Sequence, residues 1–188
     1  FFIKNISISG NFHTIYVDYI FSILIFFSLY FFYFMPFFLN LDVLKKFKNE
    51  FKEKKNIIFL MIFLTLALIL FYEIPDNIFG GGVLYKLSKL VYLEMFFLFS
   101  FMGLLFFYIF NGLIFRNYFL FLILIIAFPF EVIYQKYYDP LMIISFLTLT
   151  SSIFLSQIIS EMKKTTLLYI YCYFLFFLIS TNIYYISK

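Results

Sequence analysis

The chain has 188 residues, of which 65% are hydrophobic and 13% charged; its mean hydropathy is +1.02 and its formal net charge is +4. Soluble domains are about half apolar and about a quarter charged, so this composition lacks the polar area to cover a water-facing core. It excludes a soluble globular protein and predicts an all-α, polytopic transmembrane helix bundle with no soluble domain.

A membrane-crossing helix needs about 20 mostly apolar residues, and six segments are read as spans. In chain order they are Tyr19 to Leu39, Asn56 to Tyr72, Met95 to Leu113, Asn117 to Phe130, Leu141 to Ser160 and Thr165 to Ile186. The second is short. The fourth is shorter still and ends at Pro129, where a missing backbone donor bends or finishes a helix. Together they make one transmembrane domain over residues 1–188. The chain opens at Phe1 without the basic, apolar and small-residue succession of a signal peptide, and is read as a fragment or a processed chain of a larger multi-span protein.

Basic residues near span ends are retained on the cytoplasmic side, so their distribution orients the bundle. Lys45, Lys46, Lys48, Lys52, Lys54 and Lys55 lie in the first connection, Arg116 in the third, and Lys163 and Lys164 in the fifth. Those nine outnumber the five on the other side, Lys4, Lys86, Lys89, Lys136 and Lys188, and place both termini away from the cytoplasm. The expected location is a bacterial inner membrane or the endoplasmic reticulum. The Lys-rich first connection also holds Asp42, Glu50 and Glu53. A nucleic-acid or anionic-lipid patch is the alternative, but topology alone requires such a loop, so it reads as a topology signal; membrane lipid is the partner expected of the bundle as a whole, and no nucleic acid is expected.

The aromatic excess, 34 Phe and 17 Tyr without a Trp, accompanies much Ile, Lys and Asn and reads as nucleotide bias filling lipid-facing positions. Cys172 is the lone cysteine, which excludes an internal disulfide, and His13 alone makes no ordinary zinc site. No serine-nucleophile elbow is present, and the spans carry essentially no ionisable residue of the kind that marks an ion carrier. Asp18 and Glu94, at the heads of spans one and three, are lone acids.

Chemistry is expected instead in the two longer connections on the non-cytoplasmic side, because charges are expensive inside hydrocarbon. In the second, Gly80, Gly81 and Gly82 free the backbone to approach a ligand, and their successive amides suit a phosphate oxygen; Lys86 and Ser88 follow on a short helix. The glycine–lysine spacing of a nucleotide-binding P-loop is absent. A flexible turn between spans is the alternative. In the fourth connection, Glu131, Gln135, Lys136, Tyr137, Tyr138 and Asp139 gather a cation, phenols and carboxylates suited to a lipid phosphate with a sugar ring. Interfacial tyrosines are commonplace, so an anchoring role is the alternative there.

Asn77 with Gly80 to Gly82 and Lys86-Leu-Ser88, then Pro129-Phe130 followed by Gln135-Lys136-Tyr137-Tyr138, resembles two loops of the dolichyl-phosphate-glucose-dependent alpha-1,2-glucosyltransferases, in order and on one side. In this chain Tyr85 stands where that motif has an acid directly before the lysine, no histidine follows Ser88, and Lys136-Tyr137 stands for Arg-His. The resemblance covers roughly residues 45 to 145 and implies the C-terminal part of a GT-C type hexosyltransferase. It would transfer a sugar from a polyprenyl-phosphate donor to a glycan or lipid acceptor on the non-cytoplasmic face. It implies that Lys86 and Lys136 hold the donor phosphate, that Gly80 to Gly82 close over it, and that Tyr137, Tyr138 and Asp139 line the sugar. Asp139 and Glu131 are the candidate catalytic acids, no cofactor or metal is required, and the family's usual acid lies nearer the N-terminus of the full protein. A non-enzymatic membrane subunit or assembly factor is the alternative, with a lipid-linked sugar transporter third.

Overall fold

The computed structural model describes residues 12–74, 82–112, 114–127 and 144–186. Among them the chain is all-helical, as its apolar runs predict: α1 (Phe12–Phe34) continues as a tight helical turn (Met35–Leu39), followed by α2 (Leu41–Glu53) and α3 (Lys55–Phe71). Then come α4 (Gly82–Val91), α5 (Met95–Asn111), α6 (Phe115–Ala127), a widened turn (Ser145–Leu149), α7 (Ile153–Ser160) and α8 (Lys164–Ile186).

By length and composition one helix among the described residues, Tyr19–Leu39, can cross a membrane. The number rises to three if α2 with α3, and α7 with α8, each count as one bent span. α5 and α6 are shorter apolar helices. Five of the expected segments thus correspond to helices at nearly the expected bounds, yet the six-span count is not carried by helix length alone.

The remaining segment, Leu141 to Ser160, is not one continuous helix. Thr150 and Ser152 take extended backbone at ψ 133° and 119°, and α7 starts afresh at Ile153. The cause is the polar run Thr148-Leu-Thr150-Ser151-Ser152, in which short hydroxyl side chains compete for backbone hydrogen bonds. Ser152 becomes the cap of α7, its Oγ accepting the Leu155 N–H at 3.1 Å.

The first connection is also helical. Asn40 starts α2 by accepting the Asp42 N–H at 3.0 Å, Asp42 sits in the first turn where an acid suits the helix dipole, and Glu50 pairs with Lys54 at 2.7 Å. At Lys54 the chain turns, and α3 leaves at 87° to α2.

α1 is the centre of the core and packs along α5. Gly103 lets the two backbones touch: a Cβ there would stand 1.3 Å from the Phe27 carbonyl oxygen. One turn earlier, Ser100 Oγ donates to the Leu24 carbonyl at 2.8 Å, so a small residue and a hydroxyl seat this crossing. Around it the rings interlock, with Phe34 on Phe110 and Phe107 on Phe121 at centroid distances of 4.4 Å. The aromatic excess is therefore not mainly a lipid-facing coat. Phe21, Phe26, Phe96, Phe97, Phe106 and Phe107 are buried, because α1 presents apolar side chains on nearly every face and each neighbour must fill against it. Large apolar side chains on the outer faces remain exposed, among them Phe63 at 62%, Leu70 at 76% and Phe176 at 72%. Such a surface fits a membrane-associated protein.

Candidate functional site

In a chain this apolar a buried polar group is costly unless it is paired, so polar side chains that cluster mark candidate sites. Three such groups stand out among the described residues.

The first is the α4 region singled out by sequence. Gly82 begins α4 at φ +71°, a backbone conformation that suits glycine, and a Cβ there would meet Leu29 at 3.7 Å. Tyr85 lies edge-on to Phe21 at 5.2 Å and to Phe96 at 5.5 Å. Contacts to Leu29 and then Phe21 mean that α4 runs against the direction of α1, with its first residue nearer the C-terminal end of α1 than its later ones. Lys86 is exposed. Ser88 is fully buried, and its hydroxyl donates to the Leu84 carbonyl at 2.7 Å. Two residues apart on a helix is about 200° of rotation, so Lys86 and Ser88 face opposite ways and do not converge on one anion. Glu73 and Glu94, flanking this segment, are exposed. Gly80 and Gly81, together with Glu131, Gln135, Lys136, Tyr137, Tyr138 and Asp139, lie outside the described residues.

The second group sits at the broken segment. Asn117 Nδ2 donates to Asn111 Oδ1 at 2.9 Å and to the Ser151 carbonyl at 2.8 Å, while its Oδ1 accepts the Ser151 N–H at 3.1 Å. Asn111 Nδ2 donates to the Phe107 carbonyl at 2.8 Å, and Ser152 Oγ donates to that of Phe110. Tyr118 adds its hydroxyl on the Gly112 carbonyl at 2.6 Å. Both asparagines are buried. Irregular backbone inside an apolar bundle is tolerated only where its freed groups are satisfied, and Asn117 does this for both the N–H and the carbonyl of Ser151. Beside it opens a cavity of about 410 Å³ lined by Ile114, Thr150, Ser151, Ser152, Leu155 and Ser156. None of these side chains is ionisable. Ser152 Oγ already donates and accepts, and Ser156 Oγ donates to Ile153 at 2.8 Å, so the arrangement offers no activated nucleophile or proton-transfer group. It is a clamp.

The signal these residues leave in the sequence is neutral, so charge does not mark them. It consists of two asparagines bracketing the third connection, and four hydroxyls in five positions of an expected span.

The third group joins the first connection to the fifth. Asn40 Nδ2 donates to Thr166 Oγ1 at 2.9 Å, Lys163 Nζ lies 2.7 Å from Asp42 Oδ2, and Lys46 pairs with Glu161. The hydrogen bond from Lys163, and then its charge, hold the Asp42 carboxyl below the usual carboxylate range. The same pairing raises the Lys163 ammonium above its ordinary value. Lys54 Nζ stands 5.3 Å over the Tyr108 ring, tying the end of α2 to α5.

Among the described residues no group of three or more His, Cys, Asp or Glu side chains stands close enough to hold a metal ion. No protein-family model, curated protein or solved structure matches this chain.

Proposed function

We propose that this chain is a six-span part of a GT-C type glycosyltransferase that moves a sugar from a polyprenyl-phosphate-linked donor to a glycan or lipid acceptor on the non-cytoplasmic face. The reading rests on the resemblance of its two longer connections to the glucosyltransferase loops. The observation that carries it furthest is local: α4 starts beside Leu29 with Gly82 at positive φ, and Lys86 is exposed one turn on. A lipid-linked phosphate approaching this segment would meet main-chain amides and one ammonium, while its polyprenyl chain stayed among apolar helices. The glycosyl phosphate supplies its own leaving group, so charge complementarity and an acceptor base suffice. Lys136, with Tyr137, Tyr138 and Asp139, completes the donor site in this reading. The proposed orientation, with connections one, three and five cytoplasmic, draws support from the contacts of Asp42 and Lys46 with Lys163 and Glu161, which hold connections one and five at one end of the bundle.

The test is sugar transfer from polyprenyl-phosphate donors in membranes expressing the chain within its full-length parent. Lys86→Ala and Lys136→Ala should each lower kcat/KM about tenfold or more, the cost of one charged hydrogen bond, at matched expression. Lys55→Ala, on the opposite connection, should leave transfer unchanged. Equal transfer in all three sinks the donor-site assignment.

A second reading, a non-enzymatic integral membrane subunit, is favoured by the saturation of the Asn111–Asn117–Ser151 network, whose polar groups are consumed by architecture. Under it, no donor yields transfer, and loop substitutions reduce assembly instead of turnover.

A further inference from the structure

We propose that the outer face of α2 is a binding site for anionic phospholipid. The inference rests on insertion of the neighbouring apolar helices in a membrane and is independent of any glycosyl transfer.

α2 is divided lengthwise. Val43 is buried, and Phe47 packs edge-on to Phe38 at 4.7 Å and to Phe106 at 5.7 Å, so this edge belongs to the core. Around the helix from it, Leu41 is 73% exposed, Leu44 43% and Phe51 37%. These side chains wall an open hollow of about 580 Å³ whose remaining lining includes Lys45, Lys48 and Lys52. The acids of the helix stand elsewhere. Asp42 is held by Lys163 and Glu50 by Lys54, while Glu53 lies about 100° round the helix from Lys52. The hollow is therefore apolar and cationic at once, with no carboxylate in its lining.

Position selects the occupant. α3 leaves α2 at 87°, and its exposed Phe59 and Phe63 require an apolar surround. If α3 runs through the acyl layer, α2 lies along the plane where hydrocarbon meets headgroups, pinned there through Asn40, Asp42 and Lys46. An amphipathic helix so placed sinks its Leu and Phe side chains towards the acyl chains, and its lysines reach up to the phosphates. A nucleic acid or acidic protein would satisfy the lysines yet leave Leu41 and Leu44 in water. An anionic phospholipid satisfies both.

The chain contains no Trp, so a single Phe51→Trp gives an unambiguous fluorescence probe. The whole chain is placed in nanodiscs containing equal fractions of acyl-brominated phosphatidylglycerol or acyl-brominated phosphatidylcholine. Quenching should favour the phosphatidylglycerol, and replacing Lys45, Lys48 and Lys52 by Gln should erode that preference about fivefold per lysine. Raising salt to about 1 M, where the screening length falls to about 3 Å, should do the same. Phe63→Trp on α3 should show no preference. Leu44→Trp supplies a second probe if Phe51→Trp fails to fold. Equal quenching by the two lipids at both α2 probes, or quenching by neither because a protein partner covers the face, overturns the proposal.

Discussion

Two glycines show how differently the same residue type can be used. At Gly103 the constraint is space: any side chain would strike the Phe27 carbonyl, part of a backbone held in the middle of α1. At Gly112 the constraint is conformation, since its φ is +58° while a Cβ there would have nothing within 4 Å. Gly103→Ala should therefore cost about 3 kcal/mol or more, because α1 and α5 must separate and their rings unpack. Gly112→Ala should cost about 1–3 kcal/mol, the strain of a positive-φ backbone with ψ −141° that glycine alone adopts readily. Unfolding in mixed detergent micelles, followed by circular dichroism, distinguishes them; equal losses would mean that the α1–α5 crossing has room for a methyl group. In the sequence both are single glycines near apolar runs. Gly112 is legible as a helix stop after Asn111, whereas the close approach at Gly103 exists only once α1 lies against it.

Secondary structure elements form largely where patterning puts them, with two instructive departures. The Lys-rich connection reads as a charge signal, and it is a helix because Asn40 caps it and its apolar residues recur at helical spacing. The segment expected to cross as one helix breaks at Thr150–Ser152 because its polar groups find partners on α5 and α6 that hydropathy does not register. The α2 anchorage also has a pH signature. Depression of the Asp42 carboxyl contributes stability that is present above its unfolded range, about pH 4, and lost as pH falls through the lower folded value. Elevation of the Lys163 ammonium contributes stability present in full below about pH 10 and lost as pH rises through the higher folded value. Both groups are exposed, so the pair is weak and screened by salt. Spin labels at Asn49 on α2 and Ser156 on α7, with Cys172 replaced by Ser, should give a narrow distance distribution near neutrality that broadens at both extremes. Asp42→Asn should broaden it at neutral pH and weaken its acid dependence, with the Lys46–Glu161 pair still in place; a distribution indifferent to that substitution would remove the Asp42–Lys163 pair from the anchorage.

For the whole molecule, the number of membrane crossings and the sides shared by the connections are one problem. Helix length allows one to three spans among the described residues, whereas apolar patterning gives six. Single cysteines introduced at Lys48, Lys164 and Lys86 on a Cys172→Ser background decide between orientations by their reaction with a membrane-impermeant maleimide. Lys48 and Lys164 should report one side, because contacts between their two connections hold them at one end, and Lys86 the other. Labelling of Lys86 from the same side as Lys48 would overturn the proposed orientation.

What the sequence determined by itself was the class of the molecule and the rough limits of its helices, since apolar excess and a 1.5 Å rise per residue leave few alternatives in an oily surround. It also marked Gly82, Lys86 and Ser88 as candidates, and helical rotation sets Lys86 and Ser88 on opposite sides of α4. The tertiary structure alone decided which neutral polar groups are consumed. Ser88 turns back on Leu84, Asn117 completes a broken segment 34 residues away, and Asn40 reaches Thr166 across 126 residues. The physical reason is that a buried hydrogen-bonding group takes whichever partner the packing brings within about 3 Å. That partner is fixed by helix crossings, and the closest crossing here turns on the absence of a side chain at Gly103.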